Sequence, residues 1–259
     1  MARANALGAG AAWPVRLGWT AGSLAALTIT WHLAADLAGS RLLPSPAQVT
    51  DTFAHELATG ALGWHVGATL ARVAAGFTLA MLIGAAIGVA LGRLPHVDRF
   101  FDSWLIFFLN LPALVVIILC YVWFGLTELA AVTAVAINKI PNAAVILREG
   151  ARGLSKDLAD MAAVYRFSHW RTLSHVVLPQ LAPFFAAAAR SGLALVWKIV
   201  LVVELLGRSN GVGHQLFVAF QLFDVSLILA YALAFILVVQ MIEVGVLQPL
   251  DAKANRWRR

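Results

Sequence analysis

The segment Asp157-Leu-Ala-Asp-Met-Ala-Ala-Val-Tyr-Arg-Phe-Ser-His-Trp-Arg-Thr-Leu-Ser-His-Val-Val-Leu-Pro179 lies in the longest polar interval of the chain. Leu158, Met161, Ala162 and Tyr165 recur at i, i+3, i+4 and i+7, the spacing of one apolar helix face. Ser168 is placed to cap a second short helix, on which Trp170, Leu173 and Val177 share a face. Pro179 marks a change of direction before the next apolar run. The expectation is two short amphipathic helices joined by a bend and held between membrane spans. Such a pair needs a surface to cover its apolar face.

The flanks of this interval set the class. The chain is 61% hydrophobic and 12% charged, whereas soluble domains run at roughly 45–50% and 25%. Its apolar runs reach about 20 residues, enough to cross a hydrocarbon core. The expected fold is therefore all-α, a polytopic membrane helix bundle of six spans forming a single transmembrane domain over 1–259. Cys120, the one cysteine, excludes an intrachain disulfide and reads as a small buried hydrophobe.

A tail of residues 1–16 carries Arg3 and Arg16. Leu17 to Leu37 is long enough to remain as span one and lacks a small-residue cleavage site, so no signal peptide is read there. Leu43-Pro-Ser-Pro46 is a rigid turn in which Ser45 caps a helix with Pro46 at its first position. Val49, Phe53 and Leu57 line that helix, and Gly60 closes it. Span two, Val66 to Leu91, carries Gly84, Gly88 and Gly92 at a spacing that permits close helix packing. Span three is Phe100 to Phe124, with Asn110 and Pro112 inside it. Span four, Leu126 to Leu147, contains Asn138, Lys139, Pro141 and Asn142. Spans one to four thus occupy 17–147, the polar loop 148–179 and spans five and six 180–248. Span five is Leu181 to Leu206, followed by the turn Gly207–Gly213; span six is Val225 to Leu247. A basic tail, 249–259, closes the chain.

The net charge of +6 lies in membrane flanks, which speaks for orientation rather than nucleic-acid binding. With both termini cytoplasmic, the inner segments hold Arg93, Arg99, Arg148, Arg152, Lys156, Arg166 and Arg171 besides the tails, while the outer segments hold Arg41 and Arg208, with Arg72 near the outer end of span two. That asymmetry places 148–179 in the cytoplasm. No inverted repeat of the secondary-transporter kind is visible.

So placed, the loop resembles the EAA loop of permease subunits in bacterial ATP-binding-cassette importers. Asp160 stands at the family's acidic position, Ala162 at a small-residue position, and Trp170, His175, Val176, Val177, Leu178 and Pro179 match its second half. Leu43-Pro-Ser-Pro46, Thr69-Leu70, Arg72-Val73, Gly76-Phe77, Trp123-Phe-Gly125 and Gly211-Val-Gly213 are similar to the nitrate, sulfonate and taurine branch. The loop departs from the family at Arg166, where a glycine is usual, and at Phe167. A left-handed bend there would strain a residue with a side chain by about 1 kcal/mol. Either the bend is made elsewhere, as at Ser168, or Arg166 touches the partner.

The resemblance implies a permease in the bacterial inner membrane. It would work as a pair, a second permease copy making a homodimer, each chain bound to a cytoplasmic ATPase subunit and served by a periplasmic substrate-binding protein. Asp157, Asp160, Met161, Ala162, Ala163, Tyr165, Arg166, Phe167 and Trp170 would couple to the ATPase. The competing reading of this face, an amphipathic helix lying on membrane lipid, is opposed by Asp157 and Asp160.

No lysine follows a glycine, so there is no Walker A sequence; ATP and magnesium belong to the partner and the chain is not expected to be an enzyme. The seven histidines show no metal-ligand spacing, and Ser191-Gly-Leu does not form a nucleophile elbow. Charges within spans face a cavity or a partner. Lys139 and Asn142 beside Pro141, Asn110 with Pro112, Lys198 and Glu204 are the candidates for a translocation path for a small anionic nutrient. The alternatives are internal neutralisation, with Lys198 or Arg190 meeting Glu204, a turn capped by Glu204, or snorkelling by Arg190 and Glu243. A stand-alone secondary transporter or channel is the rival function.

Overall fold

In the computed structural model, residues 13–249 are described, and the regular structure among them is entirely helical. α1 (Trp13–Ala38) and α2 (Pro46–Ala58) precede the long α3 (Ala61–Arg93). α4 (Pro95–Asn110), α5 (Ala113–Phe124) and α6 (Glu128–Arg152) follow. Beyond the short α7 (Lys156–Val164) and α8 (His169–Thr172) come α9 (Leu178–Gly207), α10 (Val212–Gln221) and α11 (Val225–Ile242).

Four helical stretches are long and apolar enough to cross a membrane: Ala61–Arg93, Glu128–Arg152, His169–Gly207 and Val225–Val246. α4 and α5 form a fifth only if taken together, since they meet at 93°. The single third span expected from Phe100 to Phe124 is thus broken. Pro112 forces the preceding Leu111 into extended backbone, ψ 127°, and supplies no amide to carry the helix through. α1 covers the first expected span, but Thr28, Thr30, His32 and Asp36 make it more polar than the four. It packs on α2, with Ala35 buried, and Trp31 Nε1 donates to Pro44 O at 3.0 Å.

The core is the seam between α3 and α6. These helices run parallel, with Gly76 against Val135, Gly84 against Ala143, Gly88 against Leu147 and Gly92 against Ala151. At Gly88 the backbones are so close that a Cβ would lie 2.4 Å from Ala144 O, which is why the glycine ridge is needed. α9 returns antiparallel on α6, its Phe184 over Gly150 and its Ala188 beside Lys139. Val196, Val200 and Val203 of α9 fill the core with Ile117, Ala130 and Ala134. Pro141 sits within α6 without interrupting it.

The two ends of the bundle are tied by charge. Where α3 and α6 terminate, the nearly buried Asp98 accepts from Arg148 Nη1 at 3.1 Å and from Arg152. Arg148 also pairs with Asp102 at 2.6 Å. At the opposite end α2 enters by the expected Ser45 cap, which Gln48 extends to a capping box, Ser45 Oγ accepting from Gln48 N and Gln48 Oε1 from Ser45 N. Tyr231 of α11, fully buried, donates to Glu56 Oε2 of α2 at 2.8 Å.

Candidate functional site

α7 and α8 form a short elbow at the end of the bundle that carries Asp98 and Arg148. Ser155 Oγ caps α7 by accepting from Leu158 N, and Ser168 Oγ caps α8 by accepting from Arg171 N. Of the face read from the spacing, only Ala162 is buried against the chain and Met161 is half-buried. Leu158 is exposed, as is Tyr165, which lies just beyond the last turn of α7. Val164, Tyr165 and Trp170 are 78%, 71% and 76% exposed, so a set of large apolar side chains is left without cover. Asp157, Asp160 and Ala163 are exposed as well, and Phe167 is half-buried.

The direction change expected at Pro179 is absent. α8 runs through a wide π turn, Leu173–Val177, into α9 as one stretch of 39 residues. Leu178 N–H reaches back to Leu173 O, and the widened ladder absorbs the proline that follows. The bend lies instead between α7 and α8, at Arg166. Its φ is 51°, in the left-handed region. Arg166 N donates to Ala163 O at 3.0 Å and Phe167 N to Ala162 O at 2.9 Å. This pair of bonds is the Schellman closure of a helix, whose left-handed residue is usually glycine. An arginine there costs about 1 kcal/mol. Ser168 is in extended backbone and caps the next helix rather than making the bend.

The residues expected along a path fall into three separate places. Lys139 and Asn142 come together: Lys139, fully buried, donates from Nζ to Asn142 Oδ1 and to Ala188 O at 3.2 Å. Because α6 does not break at Pro141, no backbone is opened toward a cavity there. Gly192 of α9 closes over the lysine, and a Cβ at that position would lie 1.9 Å from Lys139 Cε. Asn110 and Pro112 sit at the α4–α5 break, exposed, with Asn110 Nδ2 donating to Ile106 O of its own helix at 2.7 Å. Lys198 is exposed on α9. Between α3, α4 and α6 lies a cavity of about 480 Å³ walled by apolar side chains including Leu91, Trp104, Leu105 and Ile140, unsuited to an anion.

Glu204 belongs to a cluster that the spacing of residues does not reveal. Its partner is neither Lys198 nor Arg190 but Arg72 of α3, whose Nη1 lies 2.7 Å from Glu204 Oε1. Arg72 holds Glu128 bidentately, at 2.8 Å from Nε and 2.7 Å from Nη2, and donates to Asn210 O at 2.9 Å and to Asn210 Oδ1. Glu204 Oε2 accepts from Thr69 Oγ1 and Gly213 N, both at 2.9 Å. Arg208 completes the set, 2.5 Å from Glu128 Oε1. Two cations face two carboxylates, and α3, α6, α9 and the turn before α10 are joined at one point.

Gly211-Val-Gly213 gains its reason here. Gly211 has φ 110°, and a Cβ on it would lie 2.3 Å from the Glu204 carboxyl carbon; one on Gly213 would lie 2.2 Å from Leu201 O. The turn must be bare to pass this close. Beside the cluster, Arg72, Glu128 and Asn210 form the polar side of a cavity of about 540 Å³ whose other walls include Trp64, Gly67 and Ala71.

Comparison with known proteins agrees with this architecture. Residues 76–246 match the model of the binding-protein-dependent transport system inner membrane component. SsuC of Bacillus subtilis (strain 168), named as a permease of aliphatic sulfonates transport, is 28% identical over 247 residues, covering 94% of this chain and 89% of its own. The taurine transport system permease protein TauC of Escherichia coli (strain K12) is 24% identical over 254 residues, covering 95% and 92%. Among solved structures, the inward-facing MetNI methionine ABC transporter superposes with a TM-score of 0.60 at 15% identity, over 70% of this chain and 92% of that one. Glycine-ridged parallel spans, the α7–α8 elbow and these matches converge: the chain belongs to the family of binding-protein-dependent transport system inner membrane components, the permeases of ABC transporters.

Proposed function

We propose that this permease carries a small anion of the sulfonate or taurine kind inward across the bacterial inner membrane, driven by a separate ATPase. The observation that carries the coupling is the elbow. Val164, Tyr165 and Trp170 stand exposed on a short segment projecting from the bundle, and large apolar side chains in such a place call for a protein groove. Asp157 and Asp160 beside them disfavour an anionic lipid surface as that cover. The basic residues supply the orientation: Arg93, Arg148, Arg152 and Lys156 gather where α3 and α6 end, so this end faces the cytoplasm. Both termini would then be cytoplasmic, although residues 1–12 and 250–259 of the two tails lie outside those described.

A second permease copy would complete the path, and a periplasmic binding protein would deliver substrate at the end marked by Arg72 and Glu128. ATP and its magnesium ion would be held by the ATPase. The names of the relatives support the substrate class, one being named for aliphatic sulfonates transport and the other for taurine transport. Co-expression with the ATPase tests the reading. The wild-type chain should retain the ATPase through detergent purification and Asp160→Lys should release it; no retention by the wild type refutes the coupling.

A further inference from the structure

Arg166 is one of two left-handed residues with an exposed side chain among the described residues, the other being Phe223 at φ 55°. The Arg166 backbone has φ 51°, where a glycine would sit without the clash of a Cβ. Its side chain is exposed and makes no hydrogen bond or ion pair among the described residues. Inside the chain, then, the strain is borne for nothing. Backbone strain of this kind clusters at surfaces that act on something else, and at Arg166 it coincides with a charged side chain beside uncovered apolar residues.

The surroundings state what that something must be. Along the elbow the charges separate. Lys156, Asp157 and Asp160 lie on α7, which is net acidic by one charge, while the stretch after it holds Arg166, His169, Arg171 and His175 and no acidic residue. Arg171 lies over the Phe167 ring, 4.6 Å from its centroid, whereas the exposed Arg166 side chain has no ring or charged partner among the described residues. Between the two charged ends stand the uncovered Leu158, Val164 and Tyr165. A groove that takes this apolar strip must meet an anionic end and a cationic end in fixed order.

We infer that Arg166 is a direct contact to an acidic residue on the rim of the ATPase groove, fixing the direction in which α7 lies there. The inference rests on the ATPase coupling proposed above. A complementary charge pair at a docking surface sets register and excludes the reversed approach. Glycine at 166 would relax the bend and remove this contact, so the two effects have opposite signs and can be separated.

The test uses the full-length chain co-expressed with the ATPase subunit and reconstituted in nanodiscs of neutral phosphatidylcholine, with the affinity of the ATPase measured as a function of salt. Arg166→Gly should bind about tenfold more weakly while its own thermal unfolding midpoint stays level or rises. Arg166→Asn, which tolerates the left-handed backbone, should match the glycine variant, and Arg166→Lys should recover part of the affinity. Equal or tighter binding by Arg166→Gly overturns the contact. A loss that appears only in nanodiscs containing phosphatidylglycerol assigns the side chain to anionic lipid and overturns it too. Failure of the wild type to bind at all removes the coupling itself, a result distinct from binding that is indifferent to residue 166.

Discussion

Arg72 and Glu204 lie 132 residues apart in sequence, yet Arg72 Nη1 is 2.7 Å from Glu204 Oε1, with both side chains buried. Neither is neutralised locally on its own helix. Arg72 spreads its fork over Glu128, Glu204 and Asn210, and Glu204 divides its two oxygens between Arg72 and the Thr69 and Gly213 donors. A carboxylate with that many donors is satisfied without water, which is the condition for keeping a charge inside a membrane bundle. The cluster therefore fixes how α3, α6 and α9 meet at the end proposed to face the binding protein.

Removing the cation alone should cost more than removing both partners. Arg72→Met leaves Glu204 buried without its cation and should destabilise the detergent-solubilised protein by about 3–5 kcal/mol; Glu204→Leu leaves Arg72 held by Glu128 and Asn210 and should cost less than Arg72→Met. The double variant should be more stable than the two single losses summed, a coupling read directly from a thermal-unfolding cycle. Additive losses would show that the pair contributes nothing as a pair.

The α3–α6 seam gives a second expectation. Gly88→Ala places a Cβ 2.4 Å from Ala144 O, so the helices must separate, at about 1–3 kcal/mol. Gly67, on the same helix, has nothing within 4 Å of such a Cβ, and Gly67→Ala should be nearly silent in stability. Size-exclusion profiles and unfolding midpoints of the two variants check the contrast. A seam that tolerates alanine at 88 as well as at 67 would contradict the close packing.

Much of this was legible in the sequence because it is local or periodic. The glycine ridge and the caps at Ser45 and Ser168 each depend on residues within a few positions of one another, while the equally local Gln48 half of the capping box and the cap at Ser155 emerge only in the structure. The Arg166 bend was legible as a conflict, a side chain at a position usually glycine, and it resolves into a left-handed residue. What stayed hidden is non-local. Thr69, Arg72, Gly211 and Gly213 are plain in the sequence as similarities to a family branch, but nothing in their spacing says that all four surround Glu204. Pro112 and Pro179 show the opposite failure. The same residue type breaks α4 from α5 at Pro112, is absorbed after a π turn at Pro179, and sits inside unbroken helix at Pro141 and Pro183, so the residue type alone does not announce a break.

Lys139 supplies the sharpest expectation about transport. Its ammonium is buried on α6 with Asn142 Oδ1 and Ala188 O as acceptors, and no carboxylate forms an ion pair with it among the described residues. Such a charge weakens the fold, since the desolvation cost is not offset by a counter-ion. Lys139→Met keeps the length of the side chain and removes the charge, so the variant should be more stable than the wild type by about 1–3 kcal/mol. Uptake of taurine or of an aliphatic sulfonate should nevertheless fall, because on the proposed function the buried cation is what an anion meets when α9 moves off α6. Gly192→Val should act through the same place by another route, as its side chain would occupy the space now filled by Lys139 Cε and Nζ. Loss of uptake together with a raised unfolding midpoint in Lys139→Met separates a residue of the path from a residue of the core; a lowered midpoint with uptake intact would assign Lys139 to the core.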